Sequence, residues 1–347
     1  MRKNPELARF ERDWGIVSLA MDYMPEDLSM ALDALPQAQS ATITTGNSGI
    51  PVFMFNWVDP EVIRILQAPN EGANILGEAK KGNWTTKTAF FPTVENTGQV
   101  AAYGDFSTSG KSNANANYPQ RQSFNFQTII EYGDMEVDMA GEARLNWVSE
   151  NQQSAASTLD KFMDYTYHFG VSGLQNEGLL NAAGLPAALT PSTKAAGGTT
   201  WMSATGVQNA TATEVYGDVQ SLVNSLLINA KGRIKPTDVF SLVMAPGSQG
   251  ALNATNAYGK TAAELIKLNY PSMEIKVSAR YATSSGNVVQ LFAKKFNGKD
   301  TGYCAFTEKQ RDFPVIRELS GFKQKKMAGT WGFILRYPIA VAQMLGV

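Results

Sequence analysis

One cysteine, Cys304, and one histidine, His168, are all that 347 residues supply of either type. A single thiol excludes an internal disulfide framework and a cysteine-based metal site. A single imidazole leaves any Ser-His-Asp arrangement with one choice of base. Charge is also sparse: 18 % of residues are Asp, Glu, Lys or Arg, where about a quarter is usual. The 30 basic and 31 acidic side chains leave a net charge of −1. The one basic cluster, Lys323, Lys325 and Lys326, is too small for specific reading of nucleic acid. No apolar run nears the ~20 residues of a membrane span, and MRKNPELARFERDW lacks the apolar core of a signal peptide. The chain therefore reads as soluble and made in a reducing cytoplasm. No membrane contact, metal, cofactor or catalytic residue is expected.

What the chain does have is length and apolar content. Apolar residues make up 44 %, enough for a sizeable core divided between two subdomains. Asn, Gln, Ser and Thr fill the place of charge, which suits a surface that packs against copies of itself. The longest pattern lies between Gly141 and Gly170. Leu145, Val148, Ala155, Leu159, Phe162 and Phe169 recur there at spacings of three and four, with Gln152 and Thr166 in the gaps. That spacing puts one stripe along one helix face, and no proline interrupts it. At ~1.5 Å per residue the helix spans roughly 40 Å, long enough to be the spine of the fold. Leu145, Val148, Leu159, Phe162 and Phe169 are its expected core positions.

The rest reads as attachments to that spine. Residues 1–56 form an arm with short helical pieces, and Asp59-Pro60 opens a helix with proline in its first turn. Trp84–Val94 and Gln122–Tyr132 read as strands, the second alternating Phe124, Phe126, Thr128, Ile130 and Tyr132 with polar residues. The Gly-, Ser- and Asn-rich stretch between them makes the simplest account a long two-stranded hairpin with a polar tip. Such a hairpin is marginal alone in water, so it is expected to lie on another surface. Phe90, Phe91, Lys111, Arg121, Phe124 and Phe126 are its expected intersubunit contacts.

After the glycines at 170, 173 and 178 a new unit begins. Thr211 and Glu214 have capping-box spacing before an apolar helix. Asp238–Ala245, Met273–Ser278, Asn287–Phe296 and Thr301–Thr307 read as strands, with a helix at Thr261–Leu268 and a turn at Asn297-Gly298. This alternation predicts a small α/β subdomain. Phe322–Val347 adds strand-like aromatics and an apolar end that docks into a core.

The search for reactive groups finds little. Gly104 to Ser112 resembles a phosphate loop, but five residues separate its glycines and no helix follows Lys111. Gly170-Val-Ser-Gly173 lacks a spacer of the nucleophile elbow. His168 sits in the last helical turn, where a structural role suits it, and Cys304 reads as an inert buried thiol.

The order of parts carries more information than any one motif. Trp84-Thr-Thr, Ala102-Tyr-Gly-Asp105, Pro119-Gln-Arg-Gln122, Phe169-Gly-Val-Ser-Gly-Leu174, Gly178-Leu-Leu-Asn181, Leu189-Thr-Pro191, Gly302-Tyr-Cys-Ala-Phe-Thr307, Phe322-Lys-Gln-Lys-Lys326 and Ala328-Gly-Thr-Trp331 follow one another along the chain. In this order they resemble the major capsid protein of tailed bacteriophages, with the Hong Kong 97-type fold. The resemblance implies an α+β fold. Its parts are an N-terminal arm (1–56), peripheral-domain segments (57–82, 133–185 and 308–347), an extended hairpin loop (83–132) and an α/β axial domain (186–307). It implies a structural virion protein, made in the host cytoplasm, that assembles with itself into hexamers and pentamers of an icosahedral shell around double-stranded DNA, held without sequence specificity. Portal, scaffold and decoration proteins are the other implied partners. An encapsulin-like cargo compartment is the rival within the fold, and a hydrolase using His168 the rival outside it.

Overall fold

The computed structural model describes residues 70–142, 145–203 and 205–347. The arm expected over 1–56 and the helix expected from Asp59-Pro60 lie outside the described residues. In chain order, a short helix α1 (Gly72–Leu76) leads into strand β1 (Glu78–Lys80). Then come β2 (Thr88–Phe90), β3 (Thr93–Gly98), β4 (Ser112–Asn117) and β5 (Gln120–Gln122). Strand β6 (Phe124–Gly133) runs directly into helix α2 (Asp134–Glu142), and α3 (Trp147–Phe169) follows. The later half holds α4 (Ala212–Asn229), β7 (Phe240–Met244), α5 (Pro246–Gln249), α6 (Ala262–Asn269) and β8 (Met273–Val277). It continues with β9 (Ala282–Thr283), β10 (Gly286–Ala293), β11 (Lys295–Phe296) and β12 (Lys299–Asp300). The last strands are β13 (Gly302–Asp312), β14 (Ile316–Glu318), β15 (Gly321–Leu335) and β16 (Val341–Leu345).

Two sheets organise these elements. The first has the order β1-β13-β15-β14, with β6 also paired on β15. The second has the order β16-β10-β7-β8, with β9 on β10. Only β1 with β13 and β7 with β8 run parallel; the other named pairs are antiparallel.

The second sheet is covered on both faces. Phe240, Leu242 and Met244 of β7 join Val219, Leu222, Leu226 and Ile266 of α4 and α6 in one core. Val243, on the opposite face of β7, joins Leu159, Met163 and Tyr167 of α3 and Phe333 of β15 in another. A strand buried on both faces reads as a near-continuous apolar run, which residues 239–245 show apart from Ser241. Helices α4 and α6 each start with a complete capping box, Thr211 with Glu214 and Thr261 with Glu264, so their first orphan N–H groups are satisfied locally. Asn297 and Gly298 both have positive φ between β11 and β12, the backbone that a two-residue hairpin turn demands.

Four expectations are corrected. First, the spine begins at Trp147, not Leu145: Asn146 caps it by accepting from the Ser149 N–H at 3.2 Å. Gly141, which brackets the stripe in the sequence, lies in the separate helix α2. Leu145 is half-buried outside the helix. Second, Phe162 is 38 % exposed and Phe169 half-buried, while the core positions beside them are Met163 and Tyr167. The gap residues Gln152 and Thr166 do face the sheet, hydrogen-bonding Gln324 at 2.6 Å and Thr330 at 3.1 Å on β15. Third, the strand carrying Phe124 and Phe126 is not the partner of residues 84–94. It pairs along its whole length with Gly321–Thr330 of β15. Fourth, β13 crosses the boundary expected at 307 and lies in the first sheet, while β16 leaves the tail and joins the second.

Candidate intersubunit surface

The hairpin is built from two short ladders in series. Thr88–Phe90 pairs with Gln120–Gln122, and Thr93–Gly98 pairs with Ser112–Asn117. Pro92 and Pro119 lie between the two ladders, and a residue without an N–H cannot extend a ladder. Every residue from Val94 to Gln120 is exposed. Val100 and Phe106 are fully exposed, with Tyr103 close behind and Val94 and Tyr118 largely so. Glu95, Asp105 and Lys111 are the only charges on this stretch. Exposed aromatic and apolar side chains on an arm with few charges are the composition of an association surface.

The base of the hairpin is fastened to its own chain. Phe91 packs against Tyr303, Ala305, Trp331 and Ile334, and Trp331 Nε1 donates to the Lys81 carbonyl at 2.9 Å. Phe90, one residue earlier, is exposed. Gln122 N–H donates to the Gln175 carbonyl at 3.0 Å, and Asn176 Nδ2 donates both to the Gln122 carbonyl and to the Thr330 carbonyl. Arg121 forms an ion pair with Glu177 at 2.5 Å. Burial pushes the Glu177 carboxyl up, but its bonds to Arg121 and to the Ala183 N–H outweigh that and hold it below its ordinary value.

Local backbone demands place this anchoring loop. Gly170 ends α3 with φ +65°, and a Cβ there would lie 2.3 Å from the Asn176 carbonyl oxygen. Gly178 passes so close to His168 that a Cβ would sit 2.3 Å from its carbonyl. Only glycine allows such approaches. The loop from 170 to 181 thereby folds back onto the end of the spine.

The remaining expected contact residues fall in two places. Lys111 is exposed beyond the hairpin's outer ladder. Phe124 and Phe126 form an aromatic group with Phe162, whose ring centroid is 4.5 Å from that of Phe126 and 6.1 Å from that of Phe124. Tyr165 and Phe169 extend the group along α3, and Arg280 lies over the Tyr165 ring. These rings cover the sheet of their own subunit and leave a half-exposed aromatic edge. Val148 lines a cleft with Tyr132, Val137, Asp138 and Phe322. Leu159 alone of the five spine positions is fully in the core, at 3 % exposure. Glu177, Asn176 and Gln122 were not among the expected contacts, although their neighbours Gly170, Gly178 and Asn181 mark the loop as one needing special backbone.

His168 is enclosed. Its Nδ1 is 2.8 Å from the Asp164 carbonyl oxygen, which can only accept, so Nδ1 carries the proton. Nε2 therefore accepts from Ser278 Oγ at 2.9 Å. Burial lowers the imidazole pKa below its ordinary value despite the raising effects of Asp164. Ser278, His168 and Asp164 are all buried; they join α3 to the end of β8, and Asp164 also accepts from the Gly72 N–H at 2.8 Å. The chemistry is that of a satisfied polar joint. Among the described residues no cluster of metal-ligating side chains occurs, and no helix is long and apolar enough to cross a membrane.

A family model described as Pa193 gp26 major capsid protein matches residues 41–346. No curated protein sequence matches the chain. Among solved structures, the capsid of Myoviridae Phage XM1 is similar with a TM-score of 0.72 at 13 % identity, over 87 % of this chain and 100 % of that one. A chain of Gordonia phage Cozz gives 0.54 at 10 % identity, over 88 % and 97 %. The capsid of an empty GTA particle gives 0.53 at 12 % identity, over 85 % and 96 %. At these identities the likeness is one of fold.

Proposed function

The chain belongs to the Pa193 gp26 major capsid protein family, and from that membership we propose that it closes an icosahedral phage head by self-association through hexamers and pentamers. It is a capsid protein of the virion. The observation that carries the finer reading is the hairpin, whose residues from Val94 to Gln120 are all exposed while its base is tied down by Arg121, Gln122 and Phe91. An arm with apolar side chains and no core of its own gains its burial from a neighbouring copy. Contacts of this kind are individually modest, and many per subunit add up to a stable lattice.

Within that reading the first sheet with α3 is the peripheral domain, and the second sheet with α4 and α6 is the axial domain around the five- and sixfold axes. The strand from Val341 to Leu345 belongs with the axial domain. Phe90, Lys111 and the hairpin tip contact a neighbour, and Phe124 and Phe126 contribute through the aromatic edge they form with Phe162. The enclosed double-stranded DNA is held without sequence reading, consistent with a net charge of −1. Portal, scaffold and decoration proteins are the other partners this role entails.

The test is electron microscopy of the purified full chain. Closed shells with fivefold vertices are the expected result. A chain that stays monomeric across a range of salt and protein concentration, without and with co-expressed candidate scaffold, would overturn the reading.

A further inference from the structure

We infer that Glu177 is a positioning residue that couples the hairpin's orientation to the connector between the two sheets. Three independent attachments meet at this one residue. Its carboxylate takes the Arg121 guanidinium at 2.5 Å, which holds the hairpin base. The same carboxylate accepts from the Ala183 N–H at 2.7 Å, where the chain leaves the first sheet's layer for the second. Its carbonyl accepts from the Phe333 N–H at 2.7 Å near the C-terminal end of β15. The fit at β15 is tight, since Gly332 has φ +70° and a Cβ there would lie 2.2 Å from the Glu177 carbonyl oxygen.

The side chains of Arg121 and Glu177 are 14 % and 23 % exposed, so the pair is largely shielded from water. Beyond this base the hairpin has no other ion pair to the rest of the chain among the described residues. The angle at which the inner ladder leaves its base follows the geometry of Arg121, Gln122 and Glu177. A shift of the 182–186 connector moves the Ala183 N–H and with it the Glu177 carboxylate. The hairpin therefore reports on the placement of the second sheet, and the reverse holds equally, because coupling between two sites is reciprocal.

The structural half of this inference does not depend on assembly; its consequence for shells rests on the capsid reading above. Hydrogen exchange by mass spectrometry on the unassembled full chain separates the two. Peptides covering 119–124 and 182–186 are followed in the native chain, in Arg121→Met and in Glu177→Gln. Arg121→Met touches only the hairpin side, so faster exchange at 182–186 as well as at 119–124, by about tenfold at each, is the expected result. Acceleration confined to 119–124 overturns the coupling. Glu177→Gln keeps an acceptor for Ala183 but loses the charge, and it should match Arg121→Met at both peptides. Circular dichroism and a thermal melt confirm that each variant is folded; if Arg121→Met unfolds, Arg121→Gln, which also touches only the hairpin side, takes its place. On assembling samples, the same variants should give shells of broader diameter distribution than the native chain. Uniform native-sized shells would show that the joint does not set the arm's angle, whereas a native chain that forms no shells speaks against the capsid reading and leaves the exchange result to judge the joint.

Discussion

His168 and Ser278 close the seam between the long helix and the second sheet, with Nε2 accepting from Oγ at 2.9 Å and both side chains buried. The imidazole is neutral there, and Asp164 fixes which nitrogen holds the proton. Around it lie Asp164, with Arg280 beyond, and the Tyr281 ring. Removing the hydroxyl in Ser278→Ala leaves Nε2 buried without a donor, and about 1–3 kcal/mol of stability should be lost. Urea denaturation at neutral pH measures it.

The same joint makes stability depend on pH with a definite sign. Burial depresses the His168 pKa in the folded chain, while in the unfolded chain it returns to about 6.5. Between those two values the unfolded state binds the extra proton. The contribution of the neutral imidazole is therefore complete above about pH 6.5 and is lost as pH falls from there towards the folded pKa, by up to about 1.4 kcal/mol per pH unit. His168→Gln should flatten this slope below about pH 6.5 relative to the native chain. Parallel stability profiles for the two proteins would contradict the assignment.

Leu159 and Phe162 lie three residues apart on α3 and should respond very differently. Leu159 is in the core with Met163, Ala328 and Phe333, so Leu159→Ala should cost about 2–5 kcal/mol. Leu159→Asp places an unpaired charge there and should abolish soluble folding. Phe162→Ala removes a half-exposed ring from the aromatic group and should cost less than about 2 kcal/mol. Thermal melts of the three variants rank them, and a normally folded Leu159→Asp chain would sink the placement of the helix.

Most elements could be read from local signals, and most errors concern which element meets which. The Thr211–Glu214 capping box and the Asn297-Gly298 turn are spelled in nearby residues and appear where expected. The alternation from Phe124 to Tyr132 marks a strand correctly, but period-two patterning carries no information about the partner. The nearest strand in sequence was the natural choice, and the real one is about two hundred residues away on β15. The spine stripe fails at its ends for another reason. A strict alternation of three and four has a period of 3.5, and a straight helix drifts about 20° from it per heptad. Near the end of α3 the buried position has accordingly moved one residue on, from Phe162 to Met163, while Phe169 is half-buried. The family itself was legible from ordered motifs, because their sequence along the chain is more specific than any one of them. The Glu177 joint was not, since its partners are Arg121, Ala183 and Phe333 and nothing local predicts that meeting.

The α/β unit read over 186–307 does not contain its whole core. Ala340, Ala342, Met344 and Val347 pack with α4 and α6, and β16 pairs with β10 from Val288 to Phe292. Expressed alone, 186–307 exposes one edge of β10 and part of that apolar cluster, and it should melt without a cooperative transition. Residues 186–300 joined through a short Gly-Ser linker to 337–347 should melt cooperatively. Calorimetry on the two fragments distinguishes them, and a sharp transition from the first would show that the tail strand is dispensable.

The hairpin separates folding from assembly. Val94–Asn117 can be replaced by Asn-Gly, which leaves both strands of the inner ladder, Phe91 in its contact with Trp331, and the Arg121–Glu177 ion pair in place. No described side chain in the deleted stretch is buried, so the folded subunit loses no core, and stability should change by no more than about 0.5 kcal/mol. What is lost is the exposed apolar surface of Val94, Val100, Tyr103 and Phe106 together with the amides of the outer ladder. If that surface meets a neighbouring copy, the shortened chain should have native circular dichroism and a native melting temperature yet sediment as a monomer or small oligomer. Closed shells from it would mean that the intersubunit contact lies elsewhere, with the aromatic edge of Phe124, Phe126 and Phe162 the next surface to remove. A collapse in melting temperature would instead place the outer ladder within the fold of its own subunit, against the exposure of every one of its described side chains.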